Sequence, residues 1–333
     1  MMTALVLTGK NKPAEIQEVA DYKAGPGEAI VRIHAAALNH RDVWIQKGQY
    51  AGLKYPIIPG SDGAGVVTEV GDADKSWLGK EVIIDPALHW GSHAAYQDPA
   101  DFRIIGLPDD GTLAGFVKVP LDNLVEKPSH LSFEEAAALP LAGVTAYRAL
   151  MTRARVQRGE KVLITGIGGG VALFAFQFAL AAGAMVYVSS GNEEKIEKAI
   201  AMGAMGAANY QHTGWVESLK ASAGSFDVII DGAGGDGMDA LFDLAAPGGR
   251  VVFYGATRGN PSGLVVRRIF WKQLSVLGST MGSPDDFLSM IAFVREHSIR
   301  PVVDKIFPLE EGEAAFRWMD DARQFGKIVI RVR

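Results

Sequence analysis

The sequence predicts an α/β protein: a β-rich domain joined to a doubly wound parallel sheet of six strands. Three observations carry that expectation. The chain has 333 residues, which suits about two domains at roughly 150 residues each. Its character changes near residue 125, from extended pieces broken by turns to regular alternation of strands and helices. A run of glycines stands between an apolar strand and an apolar helix where the alternation begins.

In the first part, Thr3–Leu7, Ala29–Leu38, Ala64–Val70, Lys80–Ile84 and Gly115–Pro120 read as strands. Pro/Gly-rich joints at 24–28 (AGPGE) and 55–65 (YPIIPGSDGAG) separate some of them. In the second part, strand Lys161–Thr165 is followed by the apolar helix, then strand Met185–Ser189. Helix Glu193–Met202 ends at Gly203, and a short strand Ala207–Tyr210 follows. Helix Trp215–Ala221, strand Phe226–Asp231, helix Met238–Ala245, strand Arg250–Tyr254 and strand Leu274–Gly278 complete the alternation. Continuous apolar strands imply a parallel sheet covered on both faces. Beyond Ile299 come Pro301–Val303, a helix near Glu311–Asp321 and a closing strand Lys327–Val332. A lone strand must rejoin a sheet, here that of the first domain. The expected division is therefore 1–125 with 299–333 against 126–298.

Composition narrows the function. Hydrophobic residues make up 48% and charged residues 21%, an ordinary globular balance. Net charge is −5, with 33 Lys and Arg against 38 Asp and Glu, so there is no basic footprint for nucleic acid. There is no cysteine, which excludes disulfides, thiol nucleophiles, iron–sulfur clusters and thiolate zinc sites. A reducing cytoplasm is compatible with that, and a cytoplasmic protein is expected. The opening residues MMTALVLTGKNKPAEIQE lack the basic lead and long apolar run of a signal peptide. Val171 to Val188 approaches the length of a spanning helix with Gln177 its one clearly polar residue. Gly183 divides it, however, and it follows the glycine cluster, so a buried helix and then a buried strand are expected.

The glycine run is Gly166-Ile167-Gly168-Gly169-Gly170-Val171. Glycines let the backbone turn sharply and approach a pyrophosphate, and the helix that follows presents unpaired N–H groups to the anion. A dinucleotide site is expected here. The tip of the next strand reports on the 2′-position, where an NAD site commonly carries an acid. This chain reads Val188-Ser189-Ser190-Gly191-Asn192, without one. Ser190 can donate to a 2′-phosphate and Lys195 can neutralise it, so NADPH is the expected cofactor.

Several segments together carry a family resemblance: ALNHRDVWIQKG (37–48), YPIIPGSDGAGVVTEVG (55–71), LSFEEAAALPLAGVTAYRAL (131–150), the glycine run, GGRVVFYGA (248–256) and FGKIVIRV (325–332). They resemble the medium-chain dehydrogenase/reductase superfamily and, within it, the zinc-free quinone oxidoreductase-like branch. The resemblance covers nearly the whole chain. It implies a GroES-like β domain holding the substrate, a Rossmann dinucleotide domain, and a C-terminal tail returning to the first.

Zinc alcohol dehydrogenases of that superfamily bind their metal with Cys, His and often a second Cys. The matching positions here are Asn39, Ser61 and Ala142, and Asp62 takes the place of the acid beside the histidine. Amide, hydroxyl and methyl groups do not make a zinc site. The lobe at 86–106, which elsewhere holds a structural zinc, has no cysteine. His89 and His93 are spaced for one helix face, but Pro86 and Gly91 favour a solvated loop, and two imidazoles leave a metal undercoordinated. His34 in a strand and His297 at a helix end read as structural. No metal is expected.

Without a metal, hydride transfer favours acceptors that delocalise the charge they receive, namely quinones and α,β-unsaturated carbonyls. The candidate site residues are Asn39, on the ribose or the substrate oxygen, Ser61 as a hydroxyl in the cleft, and Asp42 orienting its neighbours. Trp44 and Tyr50 would wall a planar acceptor. By resemblance, Thr145 approaches the nicotinamide, Tyr210 flanks the adenosine phosphate and Gly255-Ala256-Thr257 passes the ribose. On the same ground Ser279 lies near the carboxamide and Lys327 reaches the phosphates. Two other readings stand beside this one: an alcohol or aldehyde dehydrogenase of the same superfamily, and a non-catalytic NADPH-binding protein. Leu274–Gly278 as a sheet edge, together with the resemblance, gives a homodimer as the expected assembly.

Overall fold

The structure, a computed structural model, describes residues 1–71 and 75–333. It divides into two compact units, Met1–Ala142 with Ser283–Arg333, and Gly143–Gly282.

The first unit opens with β1 (Met2–Leu7), paired antiparallel to β2 (Ala14–Val19). Then follow β3 (Glu28–Ala37), helix α1 (His40–Gln46), β4 (Asp62–Val70), β5 (Glu81–Ile84), the short pair β6 (Ala87–Leu88) and β7 (Arg103–Ile104), β8 (Phe116–Pro120) and β9 (Leu124–Glu126). Helix α2 (Phe133–Ala138) starts with a capping box, in which Ser132 Oγ accepts from Glu135 N and Glu135 accepts from Ser132 N. Helix α3 (Pro140–Tyr147) leads into the second unit.

There the chain alternates through β10 (Lys161–Ile164), α4 (Gly170–Ala181), β11 (Met185–Ser190), α5 (Glu193–Ala201), β12 (Gly206–Asn209) and α6 (Trp215–Ala223). It continues through β13 (Phe226–Asp231), α7 (Met238–Leu244), β14 (Ala245–Phe253), α8 (Val266–Trp271) and β15 (Ser275–Gly278). The sheet order is β12-β11-β10-β13-β14-β15 with every pairing parallel. Counted within the unit this is 3-2-1-4-5-6, the doubly wound dinucleotide order. Its central strands are buried on both faces, as with Val162, Leu163, Ile164, Ile229 and Ile230. The apolar run resolves into α4, with Phe174, Phe176 and Phe178 buried, and then β11. No helix of the described residues is long and apolar enough to cross a membrane.

The chain then re-enters the first unit through α9 (Pro284–Glu296), β16 (Val303–Pro308), α10 (Gly312–Asp320) and β17 (Lys327–Arg331). Strand β17 lies between β16 and β3 and runs antiparallel to β3, with Val329 opposite Ala37. The closing strand does rejoin the first unit's sheet. Leu5, Leu7, Ile33, Leu38, Ile45, Phe316, Ile328 and Ile330 belong to the core beneath it.

The units divide later than residue 125 and earlier than residue 298. Helix α2 packs on β3 and β4, and Arg295 at the end of α9 donates to the Glu126 carbonyl at 2.8 Å. Arg300 also pairs with Glu135 at 2.7 Å, so both segments stay with the β-rich unit. Strand β2 escapes periodicity because its sequence AEIQEV is half polar and lies at the surface.

Candidate functional site

In the first unit three elements converge on a buried polar cluster. Asn39 caps α1, Asp62 opens β4 and Lys327 opens β17. Lys327 Nζ donates to Asn39 Oδ1 at 2.7 Å and to Asp62 Oδ2 at 2.8 Å. Asn39 Nδ2 donates to the same Asp62 oxygen at 2.9 Å, and Asp62 Oδ1 accepts from Leu141 N at 2.8 Å. Gly326 makes this aim possible: its φ is +119°, and a Cβ there would sit 2.3 Å from the Val302 carbonyl oxygen.

Asp42 is fully buried and turns both oxygens to backbone, accepting from Asn39 N at 2.8 Å and Gly60 N at 3.3 Å. Burial pushes its carboxyl above the usual range, while neighbouring Arg41 pulls it down. Arg41 Nη1 donates to Ser61 Oγ at 2.6 Å and to the Ile105 carbonyl at 2.8 Å. Its Nε donates to Tyr50 OH at 3.4 Å, and the guanidinium lies 5.1 Å from the Tyr50 ring centroid. Trp44 is half-buried one turn along α1, its ring 6.0 Å from that of His40.

Asn39, Ser61 and Asp42 are thus brought together, and Tyr50 joins them through Arg41. Ser61 has no exposed surface, so the hydroxyl expected in the cleft is instead a buried anchor for Arg41. Lys327 is also buried, with its ammonium committed to Asn39 and Asp62. His89 and His93 sit outside any helix, where His89 lies 3.7 Å from Asp101 and His93 stacks on Tyr96 at 4.4 Å. His34 stacks on Phe133 at 4.3 Å, and His297 ends α9 with its ring 4.3 Å from Phe293.

The second unit carries the glycine turn. Gly166 (φ +64°) and Gly168 (φ +117°) take backbone conformations that side chains disfavour. Gly169 is the N-cap of α4, and a Cβ on Gly166 would meet nothing within 4 Å. Open space before the first N–H groups of a buried helix can take a pyrophosphate. Thr165 and Asp231 lock the base of the turn: the Thr165 hydroxyl donates to Asp231, whose other oxygen accepts from Ala233 N and Gly234 N at 3.0 and 2.7 Å.

At the tip of β11, Ser190 Oγ accepts from Asn192 N at 3.3 Å, and Asn192 caps α5 through Lys195 N at 3.0 Å. The Lys195 stem crosses the glycine turn, where a Cβ on Gly168 would come 2.7 Å from its Cδ. Tyr210 closes over Gly191, where a Cβ would come 2.9 Å from its ring and hydroxyl. Ser190, Lys195 and Tyr210 therefore share one corner with the glycines. Thr257 donates to the Gly232 carbonyl through N at 3.4 Å, and Gly255 packs against the same oxygen closely enough that a Cβ would lie 2.9 Å away. Ala256 lies in the same turn and Thr145 is buried in α3. Ser279 Oγ is buried and has no hydrogen-bond partner among the described residues, an orphan that a bound carboxamide would satisfy. This donor set fits a dinucleotide.

Two cationic residues were not foreseen. Arg258 stacks over the Tyr210 ring at 4.8 Å, and its N–H ties to the Ala233 carbonyl at 2.8 Å. Arg41 is the other. The signal for Arg258 was its place directly after Gly255-Ala256-Thr257, and for Arg41 its place between the capping residues Asn39 and Asp42.

A family model for the alcohol dehydrogenase GroES-like domain matches residues 25–129, and one for zinc-binding dehydrogenase matches residues 170–296. The zinc-type alcohol dehydrogenase-like protein YogA of Leptosphaeria maculans is 34% identical over 96% of this chain and 95% of its own. The chain belongs to the medium-chain dehydrogenase/reductase superfamily. Within that superfamily, the acryloyl-coenzyme A reductase of Sulfurisphaera tokodaii is 28% identical over 99% of this chain and 100% of its own. The crystal structure of an NAD-dependent alcohol dehydrogenase matches with a TM-score of 0.94 and 36% identity over 100% of both chains.

The zinc named for some superfamily members finds no fitting donors here. Among the described residues no three His, Asp or Glu side chains are grouped to hold a metal. The amide of Asn39 and the hydroxyl of Ser61 each accept from a buried cation, Lys327 and Arg41 respectively. A dication would have to displace both.

Proposed function

We propose that this protein is an NADPH-dependent reductase that delivers hydride to a quinone or an α,β-unsaturated carbonyl without a metal. The observation that carries the reading is the pair of buried cations on Asn39 and Ser61, two of the three positions that by resemblance hold zinc elsewhere in the superfamily. The bound cofactor would supply the hydride. The chain's own residues would bind, orient and stabilise. In this reading Gly166, Gly168, Gly169, Gly170 and Val171 receive the pyrophosphate, while Ser190, Lys195 and Tyr210 receive the 2′-phosphate. The absence of an acid at the β11 tip supports that choice, and Arg258 adds positive charge beside Tyr210. Thr145, Ser279 and the Gly255-Ala256-Thr257 turn are assigned to the nicotinamide and ribose.

Asn39 has its Oδ1 held by Lys327 and one Nδ2 hydrogen held by Asp62. Its second Nδ2 hydrogen is the donor assigned to the ribose or the acceptor oxygen. Asp42 fixes the start of α1 and keeps Asn39 in place. Trp44 and Tyr50 form the wall for a planar acceptor. A conjugated acceptor spreads the incoming charge over a phenolate or enolate, so a hydrogen-bond donor suffices where a simple aldehyde would need stronger polarisation. A relative named for reducing acryloyl-coenzyme A supports that substrate class. The alcohol dehydrogenase names among the relatives favour the second reading, oxidation of an alcohol with NAD.

A homodimer and a cytoplasmic location complete the proposal. At the β15 edge Val276 is 44% exposed, and nearby Phe270 and Trp271 are 63% and 73% exposed, an apolar surface that a second copy would cover.

The test is steady-state turnover with NADPH and with NADH against a panel of quinones and enones, with metal content measured on the same protein. A clear NADPH preference and no stoichiometric zinc are expected. Alcohol oxidation with bound zinc would overturn the proposal. No turnover of any acceptor would favour a non-catalytic NADPH-binding role.

A further inference from the structure

We propose that Arg41 is a catalytic residue whose guanidinium supplies fixed positive charge to the acceptor oxygen as hydride arrives; this rests on the reductase reading above. Arg41 is only 6% exposed, yet its hydrogen-bond partners are the Tyr50 hydroxyl, the Ser61 hydroxyl and the Ile105 carbonyl, all neutral. Among the described residues it makes no ion pair. The adjacent carboxylate, Asp42, turns both oxygens to backbone N–H groups instead. Lys327, the other buried cation of the cluster, is matched by Asp62 at 2.8 Å. The guanidinium feels the buried Asp42 carboxyl only at a distance, and a buried charge that makes no direct ion pair is expensive unless an anion completes it.

The guanidinium is also immobilised. Tyr50, Ser61 and Ile105 hold Nε and Nη1, and the Tyr50 ring supports the plane. Among the described residues Nη2 has no hydrogen-bond partner, so its hydrogens remain for a ligand. A planar donor fixed in advance stabilises developing charge without reorganisation.

Hydride adds to the β-carbon of the acceptor, the carbon–carbon π pair moves, and the carbonyl oxygen becomes an enolate oxygen. Arg41 hydrogen-bonds that oxygen and keeps its own proton. Water then protonates the α-carbon of the enolate and is left as hydroxide; the hydride would come from the bound cofactor. With a quinone the same shift ends on a phenolate oxygen.

The experiment compares the full-length protein with Arg41→Gln, Arg41→Lys and Ser61→Ala. Arg41→Gln should lower kcat on the order of 100-fold, with NADPH affinity, read by cofactor fluorescence, unchanged. Arg41→Lys should recover part of the loss by restoring the charge. Ser61→Ala keeps the charge, loosens one anchor and should cost about tenfold in kcat. A readout independent of turnover uses 4-nitrophenol, whose absorbance reports its ionisation. The wild type should hold it as phenolate at a pH where the free compound is mostly phenol, and Arg41→Gln should not.

Unchanged kcat in Arg41→Gln, with quinone or enone turnover intact, overturns the assignment and leaves the reductase reading standing. Ionised nitrophenol on a wild type that reduces no quinone or enone supports the charge assignment and overturns the substrate reading. Should Arg41→Gln fail to fold, the wild type decides: an unshifted nitrophenol spectrum overturns the proposal.

Discussion

Lys327 and Asp62 form a 2.8 Å ion pair whose side chains are 4% and 0% exposed, and the same ammonium holds the Asn39 amide. Removing one member strands a charge in the interior. Lys327→Met should destabilise the β-rich unit by about 3–5 kcal/mol, whereas Lys327→Met with Asp62→Leu should recover much of that loss. Urea unfolding of the two variants checks this. Equal destabilisation in the single and double variants would show that the pair itself contributes little.

The Lys195 stem packs on Gly168, which puts its ammonium beside the phosphate turn. Lys195→Ala should lower kcat/KM for NADPH by at least about tenfold, the worth of a charge-assisted hydrogen bond, and leave NADH nearly unchanged. Arg258→Ala should act in the same direction. Gly168→Ala, by contrast, strains a backbone at φ +117° and crowds Lys195, so it should weaken both cofactors. Parallel titrations of the two cofactors distinguish these outcomes.

Asp85 is buried, and burial pushes its carboxyl up to about 7, opposed by a hydrogen bond from Ala87 N. The folded state therefore keeps a proton that the unfolded chain releases near pH 4. Stability is fully retained below that range and falls as pH rises toward about 7, because the native state binds more protons there. The loss could reach about 4 kcal/mol. Asp85→Asn should flatten this part of the profile. Urea midpoints at about pH 5 and about pH 8 measure it, and a flat wild-type profile would refute it.

Strand β15 pairs only with β14, so its other edge is open among the described residues. Val276 on that strand is 44% exposed. Val276→Lys should convert the expected dimer to monomer, since edge lysines oppose strand pairing. Sedimentation velocity reads the result, and a dimer that survives the substitution would place the interface elsewhere.

The parallel sheet was legible because its central strands carry short apolar runs, VLI in β10 and VII in β13, set between helices with clear ends. Phe226–Asp231 is recovered to the residue. Polar or very short strands such as β2, β6 and β7 left no such pattern, since two residues cannot display a period. In the site, Asn39, Asp42 and Ser61 could be picked from the sequence by resemblance. Lys327 could be picked too, but for the phosphates rather than for Asn39 and Asp62, and Arg41 was missed because its bond to Ser61 spans twenty residues of chain. Sequence order likewise gave no hint that Ser61 would face an arginine rather than a ligand.

The position of β17 between β16 and β3 bears on how the protein is made. Gly143–Gly282 is one uninterrupted stretch, whereas the β-rich unit is drawn from two separated segments. The β-rich unit cannot close until residues 327–331 have been synthesised, because they fill the gap beside β3. Without that segment the β3 edge beside it stays open. Asn39 and Asp62 gain their shared ammonium partner only when β17 docks, so closing the sheet and assembling that part of the site are one event.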